Sequence, residues 1–356
     1  MKPFCVWACG DAHVGSDLSH GRESWAETIR GVEQGGNDGG PPFTWDIAIN
    51  VGDYSGGQSV PEDTEGAEVV RQFGALREHA RESIYDICGN HDRSGLDEPQ
   101  AWWFRKWIDP TGEHAKHSGV DASKRPYPIE GTWERYKFQV GNLVFLMMSD
   151  INEPSQKLGR GPLGGNPGGV VSGETFNWWQ EQVAAHRDDI VISVHHYVLK
   201  ETTVASGEWE GFKRDNTGEW KSHYHGYKPQ GAPKGASYLY WTDSVQDALK
   251  FEHHLETNPG AVDLWMGGHT HTNPEDRTGG KSHLERRWGG TTFLNVSALT
   301  KHHVLVSPVP MSRRLTFMPG SDELRVQCYL HTSDFAPQGW YDPAERTVKL
   351  SRPFSM

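Results

Sequence analysis

The sequence predicts an α/β protein whose chemistry gathers at the carboxyl ends of its strands. Three observations carry this. Runs such as Phe4-Cys5-Val6-Trp7-Ala8-Cys9 are almost continuously apolar, as in a strand covered on both faces. These runs alternate with stretches of helical period, the order that a parallel sheet flanked by helices requires. Each run also ends in a short polar cluster, at the place where such sheets collect ligands.

Taken in order, the first run ends at Gly10-Asp11-Ala12-His13. Residues 14–41 are rich in Gly, Ser and charge and read as a loop with a short helix around Trp25 to Val32. Asp46 to Val51 is a second strand, ending at Gly52-Asp53. Val69, Val70, Phe73, Leu76 and Ala80 share one helical face. The chain then returns through Ser83 to Ile87 into Cys88-Gly89-Asn90-His91-Asp92. Trp102, Trp103 and Trp107 suggest a helix packed on the core. Tyr136 to Val140 alternates, Gly141-Asn142 turns, and Leu143 to Met148 is apolar, which predicts a β-hairpin.

Residues 159–169 hold a formal G-x-G-x-x-G, but Pro162 lies inside it and no helix starts there, so this is a loop rather than a dinucleotide site. Phe176, Trp179 and Val183 mark another helix face before the strand Asp189 to Val194, which ends at His195-His196. Residues 199–240 lack periodicity and carry Lys200, Lys213, Arg214, Lys221, His223, Tyr224 and His225, the make-up of a lid or binding loop. Their Trp and Tyr residues suit packing of the loop or stacking on a nucleobase. Asp243 can cap a helix through Val245, Leu249 and Leu255. The strand Ala261 to Met266 ends at Gly267-Gly268-His269-Thr270-His271, and Thr292 to Val296 opens further strands.

Composition narrows the function classes. Of 356 residues, 35% are hydrophobic, and no window approaches the ~18 apolar residues of a membrane span. Without a secretory cleavage pattern after Met1, a cytoplasmic protein is expected. Cys5, Cys9, Cys88 and Cys328 form no disulfide framework. The net charge of -12 opposes a broad footprint for duplex nucleic acid but allows small anionic substrates. Most of the 19 histidines, among them His79, His114, His117, His186, His253 and His254, read as surface or hydrogen-bonded residues. His302-His303 beside Lys301 follows a strand and could line the cleft, but is read as outside it, and Arg313-Arg314 is read as a solvated pair rather than a phosphate clamp.

The strand exits therefore offer Asp11 and His13, Asp53, Asn90 and His91, His195 or His196, and His269 with His271. Carboxylates, imidazoles and an amide oxygen suit borderline cations such as Zn, Mn or Fe. Asp11 with His13, and His269 with His271, are one residue apart, so in extended chain each pair points the same way. If Asp53 bridges, the count reaches about four protein groups per cation in a two-metal site.

In their order, Asp11/His13, Gly52-Asp53, Gly89-Asn90-His91-Asp92, His195 and Gly268-His269-Thr270-His271 resemble the five motifs of the calcineurin-like metallophosphoesterase superfamily. The resemblance spans residues 4 to about 297. It implies a double-β-sandwich flanked by helices, layered α/β, with residues 1–305 as catalytic domain, 199–240 as an insertion and candidate lid, and 306–356 as a β-rich C-terminal extension on the same domain. It implies two divalent transition-metal ions, Mn, Fe or Zn. Asp11, His13, Asp53 and His271 would hold the first, and Asp53, Asn90, His195 and His269 the second. His91 would serve as general acid to the leaving group, with Asp92 orienting its ring. Tyr197 stands where the family pattern has proline, which leaves His195 and His196 as alternatives. The implied activity is hydrolysis of a small or nucleotide-like phosphate mono- or diester; a catalytically silent scaffold and a nuclease are the alternatives.

Overall fold

The computed structural model describes residues 2–57, 60–93, 100–151, 169–207, 212–214, 220–222, 237–243, 249–303 and 308–356. The glycine-rich run before 169 and most of the 199–240 loop lie outside these residues, as does the start of the helix expected after Asp243. Among the described residues no helix is long and apolar enough to cross a membrane.

Two seven-stranded sheets face each other, the double sandwich that the family resemblance implied, where the alternation of elements by itself pointed to a parallel sheet. In the first, Phe4–Cys9, Ile47–Asn50 and Ile84–Asp86 run parallel. The hydrogen-bonding edge of Phe4–Cys9 away from Ile47–Asn50 is taken by Met311–Phe317, antiparallel, with Phe4 opposite Phe317. Glu323–Leu330 continues the sheet and pairs with both Gly339–Trp340 and Arg346–Lys349. The C-terminal segment thus supplies four of the seven strands. In the second sheet, Leu143–Met148, Ile190–His195, Leu264–Gly267 and Thr291–Asn295 run parallel. The predicted hairpin is present: Arg135–Val140 pairs antiparallel with Leu143–Met148.

Period-two alternation sorts each strand's side chains between two layers. Phe4, Val6 and Ala8 point between the sheets, where they meet Ile49, Phe145, Ile192, Leu264 and Leu315. Trp7 and Cys9 point outward to Trp25, Ile29, Val32, Val69 and Phe73 on the helices Ser24–Gln34 and Asp63–Phe73. Trp7 and Trp25 are fully buried and stack at 5.5 Å between ring centroids. The outer face of the second sheet is covered by Gly173–Ala185 and Leu249–Thr257 through Phe176, Trp179, Val183, Phe251 and Leu255. Ser172 caps the former, accepting the backbone N–H of Thr175 at 3.0 Å. The helix over Val69 stops at Phe73, short of the Leu76 and Ala80 that the pattern included.

The parallel strands of both sheets leave at one end of the sandwich, so their exit loops become neighbours. Asp11 donates its backbone N–H to the Gly52 carbonyl at 2.8 Å, and Gly268 to that of His196 at 2.8 Å. Glycine is required where these loops touch: a Cβ at Gly89 would collide with the Asp53 carboxylate, and one at Gly268 with that of Asp11.

Candidate metal centre

Four of the expected ligands sit in backbone that L-residues rarely adopt. Asp11, His13, Asp53 and His269 have φ of 55°, 40°, 60° and 67°. Such strain costs on the order of 1–3 kcal/mol per residue and collects where side-chain aim matters.

Two buried groups of donors result. In the first, Asp11 Oδ1 lies 3.0 Å from His271 Nε2, and His271 Nε2 lies 3.2 Å from His13 Nε2. In the second, His196 Nε2 lies 3.0 Å from Asn90 Oδ1, 3.1 Å from Asp53 Oδ2 and 3.3 Å from His269 Nδ1. Asp53 Oδ2 is also 3.7 Å from His13 Nε2, so one carboxylate stands between the groups. His13 Nδ1 donates to the Ser55 carbonyl at 2.7 Å and His196 Nδ1 to that of Val51 at 2.8 Å. A backbone carbonyl accepts only a hydrogen, so each ring turns an Nε2 lone pair toward the site when neutral; this is the usual support of a metal-bound histidine.

The electrostatics fit a cation. Burial first, then the neighbouring His303 and His271, holds the His13 imidazole well below its ordinary range, so it is neutral. Its Nε2 lone pair faces the Nε2 of His271 beside the Asp11 and Asp53 carboxylates, an arrangement that one positive ion satisfies. Burial alone would lower His196, but the charges of Asp53 and Asp11 and the Asp53 hydrogen bond lift it to about 10.

The structure brings Asp11, His13, Asp53, Asn90, His269 and His271 together, but places His196 and not His195 in the second group. The strand explains why. Ile192 and Val194 point between the sheets toward the site side, and His195 falls on the opposite face with Val191 and Ser193. Its Nδ1 accepts the Tyr197 backbone N–H at 3.0 Å, and its Nε2 is 3.8 Å from Asp150.

Asp92 does not orient His91 either. Its carboxylate accepts four backbone N–H groups: Asp53 at 2.8 Å, Tyr54 at 2.8 Å, Ser55 at 3.0 Å and Gly89 at 3.0 Å. It clamps the loop that presents Asp53 to the loop that presents Asn90. Burial, with the Asp53 charge adding, pushes the Asp92 carboxyl up to about 7. His91 is held instead by the Gly57 carbonyl, 2.6 Å from its Nδ1.

One further imidazole belongs here. His303, expected outside the cleft, stacks on His13 at 3.6 Å and 5° and meets His91 edge-on at 4.5 Å and 88°. A ring nitrogen from each of His13, His91 and His303 lies within 4.8 Å of the others. Ser16 Oγ holds His303 Nδ1 at 2.8 Å. The segment leading to it is tied down by Asp17, buried and ion-paired with Arg22, whose carboxylate accepts from Thr300 Oγ1 at 2.6 Å and the His302 backbone N–H at 2.9 Å. The position of His302-His303 just beyond a strand exit was the available signal.

A profile of the calcineurin-like phosphoesterases matches residues 5–273. No curated protein matches the chain. Similar solved structures include Vacuolar Protein Sorting 29 from Cryptosporidium parvum, at 10% identity over 98% of this chain and 98% of that one, TM-score 0.36. A single mutant of Vps29 from Entamoeba histolytica has 14% identity over 98% of this chain and 100% of that one, TM-score 0.35. Likenesses this weak carry no inference about function. With its profile match over most of the sequence, two stacked sheets and the shared donor set at their common end, the chain belongs to the calcineurin-like phosphoesterase family.

Proposed function

We propose that this protein hydrolyses small phosphate esters with two divalent transition-metal ions. The observation that carries the reading is the shared position of Asp53: its Oδ2 is 3.1 Å from His196 and 3.7 Å from His13, so it stands between two groups of converging donors. Asp11, His13, Asp53 and His271 would hold the first ion, and Asp53, Asn90, His196 and His269 the second. Mn, Fe and Zn all suit this donor set.

When bound, the two ions supply an activated water and neutralise charge on the phosphoryl oxygens. The chain's own residues do the rest. The carbonyls of Ser55 and Val51 fix the aim of His13 and His196. Asp92 holds the Asp53 and Asn90 loops in register. His91, with Nδ1 committed to Gly57, delivers a proton from its other ring nitrogen to the leaving-group oxygen. His303, edge-on to His91, would meet a phosphoryl oxygen of an ester bound beside it. The net charge of -12 favours a small ester over duplex nucleic acid.

The test measures metal content of purified protein, then turnover of aryl phosphate mono- and diesters and cyclic nucleotides with added Mn, Zn or Fe. Close to two ions per chain with turnover of one ester class is expected. Metal-loaded protein inert toward every ester would sink the hydrolase reading and leave a metal-binding scaffold.

A further inference from the structure

Outside the metal centre, a guanidinium is buried between the sheets with no counter-charge among the described residues. Arg313, expected to be solvated, is 2% exposed. It lies in Met311–Phe317 on the same side of the strand as Leu315 and Phe317, which look across to the second sheet. Among the described residues no carboxylate forms an ion pair with it. Among the same residues its Nη2 has only the Met311 sulfur at 3.8 Å, and its Nε has no hydrogen-bond partner. A charge held this way, away from water and unpaired, is one that folding tolerates only at considerable cost.

Arg313 lines a cavity of about 20 Å³ whose wall also includes Arg277, Arg346 and His283. Arg277 and Arg346 are exposed and form its outer rim. No carboxylate lines it; the remaining wall includes Leu284, Leu294 and Val326. His283 Nε2 is committed to Thr272 Oγ1 at 2.6 Å. Burial, followed by the charges of Arg313 and Arg277, keeps His283 neutral, so it adds no repulsion to the cluster's own. Three guanidinium groups around a small, partly apolar cavity form a site for a negative ion. A cavity this small excludes a nucleotide and admits only an ion of few atoms.

We propose that this cavity binds a small tetrahedral oxyanion of the phosphate or sulfate type, with Arg313 as its buried ligand and Arg277 and Arg346 closing the mouth. The planar fork of arginine suits such oxygens, and a bound anion supplies the charge that Arg313 lacks. The site is independent of whether the metal centre hydrolyses esters. Because Thr272 adjoins His271, the cavity and the metal centre are near neighbours, and an ion in one has to be distinguished from an ion in the other by position.

The test uses the metal-loaded full chain. Crystals soaked in selenate locate the anion by its anomalous signal, and melting temperature is followed against sulfate concentration for the parent protein, Arg313→Met and Arg277→Gln. A selenium peak within hydrogen-bond reach of Arg313 is expected. So is a sulfate-dependent rise in melting temperature that Arg313→Met abolishes and the surface change Arg277→Gln weakens. In the absence of sulfate, Arg313→Met should melt no lower than the parent, since it removes an uncompensated buried charge. Should Arg313→Met fail to fold, the selenium position and the Arg277→Gln response still decide. Selenium on the metals alone, with water in the Arg313 cavity and an unchanged sulfate response in Arg277→Gln, overturns the proposal.

Discussion

The imidazole of His91 is held by Gly57: its Nδ1 donates to the Gly57 carbonyl oxygen at 2.6 Å. A backbone carbonyl is a partner that no side-chain substitution removes, so His91 and Asp92 should separate cleanly by mutation. His91→Ala is expected to retain both metal ions and lose turnover by roughly 10²- to 10⁴-fold, the range of a lost general acid. Parental turnover in His91→Ala would exclude the role.

Asp92→Asn should instead act on stability. An amide has one acceptor oxygen where the carboxylate has two, so two of the four backbone donors it now satisfies lose their partner. At about 1–3 kcal/mol per stranded buried donor, a loss of a few kcal/mol in denaturant unfolding is expected. Weaker metal binding should accompany it, because the Asp53 and Asn90 loops are no longer clamped. A variant of parental stability that is slow only in turnover would restore Asp92 as the orienting partner of His91.

The neighbouring histidines make a paired comparison. His196→Ala should leave about one ion per chain, whereas His195→Ala keeps about two. Metal analysis after gel filtration reads this directly. Equal metal loss in both variants would mean that the strand's facing does not decide the ligand.

His303 and its anchor give a third comparison. His303→Ala should keep its metals and lower kcat/KM by about 10-fold, the size of one hydrogen bond to a charged group. Asp17→Asn, which loosens the 299–302 segment without touching the site, should move kcat/KM in the same direction, and combining the two should add little. Additive losses would show that Asp17 does not act through His303.

Acid sensitivity should trace in part to His331. Burial, with Arg22 nearby, holds its imidazole down at about 3, and its Nε2 lies 2.8 Å from Ser312 Oγ. The unfolded chain binds a proton at this residue below about 6.5 while the folded chain does not. Its contribution is therefore fully present above pH 6.5 and falls as pH drops toward 3, by up to about 1.4 kcal/mol per unit. His331→Gln should flatten the stability curve between pH 6.5 and 4 relative to the parent, measured by urea unfolding. Parallel curves would exclude His331 as a source.

Much of the site was written in the chain. The donor types at the strand exits, their spacing in Asp11/His13 and His269/His271, and the order of the five clusters identified the family and the ends of the strands where metal would sit. These are local features: a strand that ends in a turn presents its next residues at the sheet's edge whatever surrounds it. Only the tertiary structure decided among neighbours. His195 and His196 differ by which face of Ile190–His195 looks across to the other sheet, and that depends on the packing of Val191 against the outer helices and Ile192 against the inner core. Asp92 and His91 are adjacent in sequence, yet their partners, the 53–55 backbone and Gly57, come from a distant loop. His303 reaches His13 because Asp17, nearly 300 residues away, holds its segment. The C-terminal strand Met311–Phe317 pairs with Phe4–Cys9 for the same reason: hydrogen-bond partners across a sheet are chosen by closure of the whole chain, and no window of sequence contains both.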